Sequence, residues 1–184
     1  MTRFTRSGIS WGMVAAGLSL AATAAAALSS GGDARIVFKA TGPAGLSFEG
    51  KGRDVKLKED GNNVVVSVKI DGLATGIDLR DRHMKEKYLE SGKYPFATLE
   101  VDKSKLHFPE GSAVSGTTDG KLTLHGVSKV VKVSYKADGD RNQAKIDGSM
   151  HINMKDFKIE VPSYLGVTVK PNVDVEVKLG IINK

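Results

Sequence analysis

No cysteine occurs anywhere in the 184 residues. Disulfides, thiolate metal centres and a lipid-modified N-terminal cysteine are therefore excluded. Tryptophan occurs once, at Trp11, and aromatic residues make up only 6% of the chain. The lysines sit singly and rarely alternate with rings, which argues against a nucleic-acid groove. His83, His107, His125 and His151 never fall in the HxH, HxxxH or HExxH spacings that place two ligands on one face, so no metal is expected. Ser128, Ser134 and Ser163 lack a G-x-S-x-G elbow, and no Gly-rich phosphate loop opens a helix; GKG at 50–52 reads as a turn between strands. Neither catalytic residues nor an enzymatic activity is expected.

A strong charge bias is missing as well. The formal net charge is +6. Removing Arg3 and Arg6 from 27 basic residues leaves 25 against 21 acidic ones, a net +4, which is too mild to name a partner. Those two arginines precede an apolar stretch and then AATAAAALSSGG, with small-x-small sites at Ala22/Ala24, Ala24/Ala26 and Ala25/Ala27. Residues 1–30 therefore read as a secretory signal peptide with a short linker, and 31–184 as one domain of the mature, periplasmic or secreted protein. The other reading is an uncleaved anchor, since Trp11 to Leu28 gives about 18 uncharged residues, the lower edge of a membrane span. The alanine-rich second half favours cleavage. The arginines are not adjacent, so there is no twin-arginine signal.

What the chain does have is period two. Val64, Val66, Val68 and Ile70 alternate with smaller or charged residues, as do Ala97, Leu99 and Val101, then Leu122 and Leu124, and Val131, Val133 and Tyr135. Ile146, Gly148, Met150 and Ile152 follow, then Val173 through Ile181 against Asp174, Glu176 and Lys178. Each run predicts a half-buried strand. Turn chemistry separates them at GPAG (42–45), DGNN (60–63), HG (125–126), DGDRN (138–142) and KPN (170–172). Short links between alternating strands imply an antiparallel meander; alternation alone does not separate a sandwich from a barrel.

One segment reads as helix. Asp78 is placed to cap residues 80 and 81, Asp81 to complete a box, and Gly92 to end the helix after Glu90. Asp81 with Lys85 and Arg82 with Glu86 are i to i+4 pairs worth a few tenths of a kcal/mol each, roughly. Of the histidines, His83 lies beside two arginines, which disfavour a bound cation, and His125 precedes Gly126 in a two-residue hairpin. His107 and His151 stand isolated in strand-like contexts.

Five segments carry a family likeness: TGIDLRDRHM (75–84), KYPFATLEV (93–101), GKLTLHGVSKVVKV (120–133), INMKDFKI (152–159) and VDVEVKL (173–179). In order and spacing they resemble the YceI-like family across nearly all of the mature chain. The resemblance implies an all-β, mainly antiparallel fold: a closed eight-stranded lipocalin-like barrel with one short helix near the mouth and a tunnel for a polyisoprenoid or other long amphiphile. Arg80, Asp81 and His83 match the family's R-D-x-H, Thr123, His125 and Gly126 its hairpin, and Asp156-Phe157 its D-F pair. Met154 stands where the family commonly has Arg, Lys158 where it has Gly, and the opening is reduced to ARIVFKATGPAG. These departures bear on head-group contacts rather than on the barrel.

The expectation is an exported carrier with no cofactor beyond a bound lipid, no nucleic-acid partner and transient membrane contact. Its apolar tunnel is expected to be lined by Phe38, Phe48, Val66, Val68, Leu79, Met84, Tyr88, Leu99, Val101, Leu122, Leu124, Val131, Val133, Met150, Ile152, Phe157, Val175 and Val177. Arg80, Arg82 and His83 are the candidate head-group contacts, and the competing role for Arg80 and Asp81 is an internal ion pair pinning the helix. Two other classes stay open at this point: an enzyme using an Asp/His pair at the mouth on a hydrophobic substrate, and an envelope-stress or scaffolding protein whose barrel is filled.

Overall fold

The computed structural model describes residues 28–140, 142–164 and 167–183. The expected signal peptide thus lies almost wholly outside the described residues. The strands, in chain order, are β1 (Leu28–Thr41), β2 (Ser47–Gly52), β3 (Val55–Asp60), β4 (Asn63–Lys69), β5 (Phe96–Asp102), β6 (Val114–Leu124), β7 (Val127–Gly139), β8 (Gln143–Asn153), a short hairpin of β9 (Ser163–Tyr164) and β10 (Val167–Thr168), and β11 (Asn172–Asn183). One helix, α1 (Asp78–His83), continues as a π turn over Met84–Tyr88.

Every main ladder is antiparallel, and the order β1-β3-β4-β5-β6-β7-β8-β11 returns to β1. The sheet is a closed eight-stranded barrel. β2 and β3 behave as one interrupted strand: β2 pairs with Ile36–Thr41 of β1, whereas β3 meets β1 at Ser29–Lys58. Closure is what alternation left undecided, and it rests on β1 and β11, paired from Leu28–Asn183 to Ala40–Val173 with a register shift between Gly31 and Arg35. At that shift the two backbones nearly touch, since a Cβ on Gly180 would lie 2.0 Å from the Gly31 carbonyl oxygen. β1 begins at Leu28, so Leu28–Ser30, expected to be linker, are strand residues.

The turns fall where glycine and its neighbours put them. His125 and Gly126 both take left-handed backbone (φ 52 and 72), the geometry of a two-residue hairpin that matches strand twist. GKG at 50–52 is strand rather than the expected turn: Gly50 and Gly52 lie within β2. Gly50 is small for a packing reason, because the Phe38 ring crosses it and a Cβ there would sit 2.0 Å from Cζ of that ring. Ile70, read as strand, begins a 3-10 turn with its N–H donated to the Pro95 carbonyl.

The helix forms by a different device from the expected one. Ile77 is the N-cap and makes no side-chain bond. Asp81 instead reaches back and accepts hydrogen bonds from the Thr75 N–H (2.7 Å) and hydroxyl. The chain leaves the helix at Glu90, which takes φ 44 ahead of Gly92. Lys85 lowers the Asp81 carboxyl through space, but neither expected i to i+4 ion pair forms among the described residues; Lys87 meets Glu160 at 3.7 Å instead.

Candidate functional site

The barrel is hollow. A cavity of about 950 Å³ runs through it, bounded at one end by α1 and the loops around it and at the other by the long β5–β6 connection. All of the expected tunnel residues line this cavity except Val131 and Phe157. Phe157 is almost fully buried in a separate small core with Leu122 and Ile159, and Val131 packs against that core rather than on the lumen. The 3-10 turn over Met154–Phe157 causes this, turning the D-F pair away from strand alternation.

Sequence reasoning missed the distal half of the lumen. Leu28, Leu57, Leu106, Phe108, Ala137 and Ile181 all face it. Leu28 falls in the expected linker, and Leu106 and Phe108 belong to no regular element; their spacing around His107 is the available signal. The lining there also includes Thr118, Tyr135 and His107. The Tyr135 hydroxyl accepts the His107 N–H at 2.8 Å, holding the β5–β6 connection against β7.

At the helix end, Thr75 is the hub. Its hydroxyl accepts from Arg80 Nε at 2.7 Å and donates to Asp81, while its carbonyl accepts from Arg80 Nη2 at 3.0 Å. Arg80 and Asp81 thus share Thr75 and form no direct ion pair among the described residues. The guanidinium also lies over the Phe48 ring, 5.2 Å from its centroid. Burial pushes the Asp81 carboxyl up, but the Thr75 hydroxyl and N–H, then Lys85 and the Gly76 N–H, outweigh it and hold the group below its ordinary value. A guanidinium has five N–H donors, and Arg80 commits two to Thr75, leaving the others for a ligand. His83 lines the cavity mouth, whereas Arg82 is exposed and is not part of the wall.

His125 braces the same end. Its Nε2 meets the Glu90 carboxylate at 2.6 Å, its Nδ1 faces the Phe157 carbonyl at 3.1 Å, and Tyr94 packs edge-on at 4.9 Å between centroids. The ring ties the helix exit, the β6–β7 hairpin and the small core together. His151 pairs with Asp174 on the outer wall. Among the described residues no group of three His, Asp or Glu side chains could hold a metal ion, and no helix is long and apolar enough to cross a membrane. At the mouth Asp81 is engaged by Thr75 and makes no hydrogen bond to a histidine among the described residues. The filled-barrel expectation is overturned by the cavity itself.

A family model described as a YceI-like domain matches residues 28–181. A UPF0312 protein of Pseudomonas savastanoi pv. phaseolicola is 29% identical over 126 residues, 65% of this chain and 64% of the relative. A UPF0312 protein of Yersinia enterocolitica is 33% identical over 104 residues, 53% of this chain and 50% of the relative. The match thus spans between half and two thirds of those relatives. Among solved structures, a polyisoprenoid binding domain from Saccharophagus degradans, implicated in plant cell wall breakdown, superposes with a TM-score of 0.72 at 15% identity, covering 86% of this chain and 99% of that one. Burkholderia cenocepacia BcnA superposes with a TM-score of 0.63 at 16% identity, covering 80% and 95%. At these identities the likeness establishes the fold.

Proposed function

The chain belongs to the YceI-like family, and on that premise we propose that it is an exported carrier that sequesters a polyisoprenoid or other long-chain amphiphile. The observation that carries this reading is the unfilled lumen, whose wall is aliphatic and aromatic over nearly its whole length. The tail lies inside the barrel. Each methylene moved from water into such a wall gains about 0.8 kcal/mol, so a tail of several isoprene units recovers on the order of 10 kcal/mol before ordering costs.

The polar end of the ligand stands at the mouth, where Arg80 and His83 line the opening and Arg82 lies on the same helix. A planar guanidinium with free donors suits phosphate or carboxylate oxygens. That the Saccharophagus neighbour is described as polyisoprenoid-binding supports the ligand class. The basic, apolar and alanine-rich start of the chain supports export to the periplasm or beyond. The role is binding and transport, with the lipid as cargo rather than cofactor.

Native mass spectrometry of the purified protein, followed by organic extraction, tests the reading. One lipid per barrel is the expected result. A protein that carries no lipid and takes up none from an added polyprenol sinks it, and conversion of the bound lipid into a product would replace carriage with catalysis.

A further inference from the structure

Exposed apolar side chains are unevenly spread over this barrel. Leu46 is 70% exposed, Ile77 54%, Leu79 60% and Phe96 53%. All four belong to the helix end: the β1–β2 loop, the approach to α1, its first turn, and the first residue of β5. Ile77 and Leu79 also line the lumen, so apolar surface runs unbroken from inside the barrel over its lip into solvent. Leu46 joins that lip, since a Cβ placed on Gly42 would lie 3.7 Å from the Phe48 ring and 4.0 Å from the Leu46 Cβ, and Phe48 faces the lumen beneath Arg80. At the opposite end Leu28, Leu57, Leu179 and Ile181 are buried, and Ile182 is exposed by 39%.

Charge is interleaved with this lip. In the run Ile77-Asp78-Leu79-Arg80-Asp81-Arg82-His83, Asp81 is answered by Thr75, and the side chains of Arg82 and His83 have neither hydrogen bond nor ion pair among the described residues. Apolar side chains beside basic groups with unused donors match one kind of surface: phosphates lying above an acyl layer. A protein partner would cover the apolar lip equally well, but it would not also present the ligand to the opening.

We propose that the helix end docks on a phospholipid bilayer, with Leu46, Ile77 and Leu79 entering the acyl boundary and Arg80, Arg82 and His83 at the level of the phosphates. This inference rests on the carrier reading and names where the cargo comes from. Docked in this way, the lumen opens onto the acyl layer, and a tail passes from lipid to barrel without crossing water. Asp78 and Glu86, exposed on the same helix, offset part of the basic charge. Apolar insertion therefore dominates, and anionic lipid strengthens the contact only slightly. With three inserting side chains the contact is transient.

The test uses phosphatidylcholine vesicles, with and without phosphatidylglycerol, carrying a dansyl-labelled polyprenol. The full-length mature protein is expected to float with both vesicle types, and the rate of probe transfer should rise in proportion to vesicle concentration. Leu46→Asp, a residue outside the lumen wall, should slow transfer by about tenfold or more and leave equilibrium uptake of the probe from micelles unchanged. Phe96→Ser should slow it less, and Ile182→Asp, at the far end, should not slow it. Absence of flotation, a transfer rate independent of vesicle concentration, transfer that requires a second protein, or equal rates for Leu46→Asp and Ile182→Asp would each overturn the docking inference. If the probe is not taken up even from micelles, it is the carrier reading that fails, while flotation of the unloaded protein still decides docking.

Discussion

The two ends of the barrel are built from the same residue types and treat them oppositely. At the far end, Leu28 and Ile181 are buried, Leu106 and Phe108 of the β5–β6 connection pack against the cluster that holds them, and polar groups tie that end together. The Glu59 carboxylate accepts from the Leu28 N–H at 3.0 Å and from Lys103 at 2.5 Å, Asn62 donates to Asp102 at 2.8 Å, and Tyr135 holds His107. At the helix end, polar ties are as numerous, but they run along the rim, around Thr75 and His125, and leave Ile77 and Leu79 in solvent. Burial of apolar surface, not the number of hydrogen bonds, distinguishes a sealed end from an open one.

The harshest way to break the contrast is to open the sealed half at its seam. Gly180→Ala places a methyl 2.0 Å from the Gly31 carbonyl oxygen, and β1 and β11 must separate there. A loss of more than about 3 kcal/mol, or of cooperative unfolding altogether, is expected in urea titrations. Next in size is filling the lumen that the two ends share. Gly148 lines the cavity and has no atom nearer its would-be Cβ than the Val177 carbonyl oxygen at 3.9 Å. Gly148→Phe should therefore abolish stoichiometric lipid while leaving the urea midpoint unchanged or raised; an unfolded variant, or one that still retains lipid, would contradict the geometry.

Acid sharpens the comparison further. The Leu28 N–H and then Lys103 hold the Glu59 carboxyl below its ordinary value, against the opposing effect of burial. A carboxyl lowered by folding contributes stability that is present above its unfolded value and is lost as pH falls through the folded one. Glu59→Gln should flatten the acid limb of stability against pH, and Asp81→Asn should do the same at the mouth, both read from urea midpoints down the carboxylate range. A slope left by Asp102, which Ser104 also lowers, is expected to persist. The smallest effect is Tyr135→Phe: loss of the hydroxyl's contacts with the His107 N–H and, at 3.3 Å, its ring Nδ1, on the order of 1 kcal/mol, seen as faster amide exchange at His107 with lipid content unchanged.

Much of the barrel was legible because strand alternation is local. β4 to β8 and β11 follow the valine, leucine and isoleucine positions directly, and the His125-Gly126 turn follows from which residues adopt left-handed backbone. The site was half legible. Inward parity picked out Val66, Leu99 and Val175, but Val131 has the same parity and misses the lumen because the Phe157 core lies against it. Thr75 carries no signal in the sequence, since its value comes from bonds to Arg80 and Asp81 that exist only once the helix is placed. The Leu106–Phe108 cover has no periodicity to read.

The order of strands, their faces, the turn positions and the apolar character of the interior were written in the residues, because each depends on neighbours a few positions away. Which edge pairs with which, and so whether the sheet closes, was decided by β1 meeting β11 across the length of the chain. Whether the interior stays empty is likewise tertiary: it depends on how eight strands set a radius that their own medium-sized side chains do not fill.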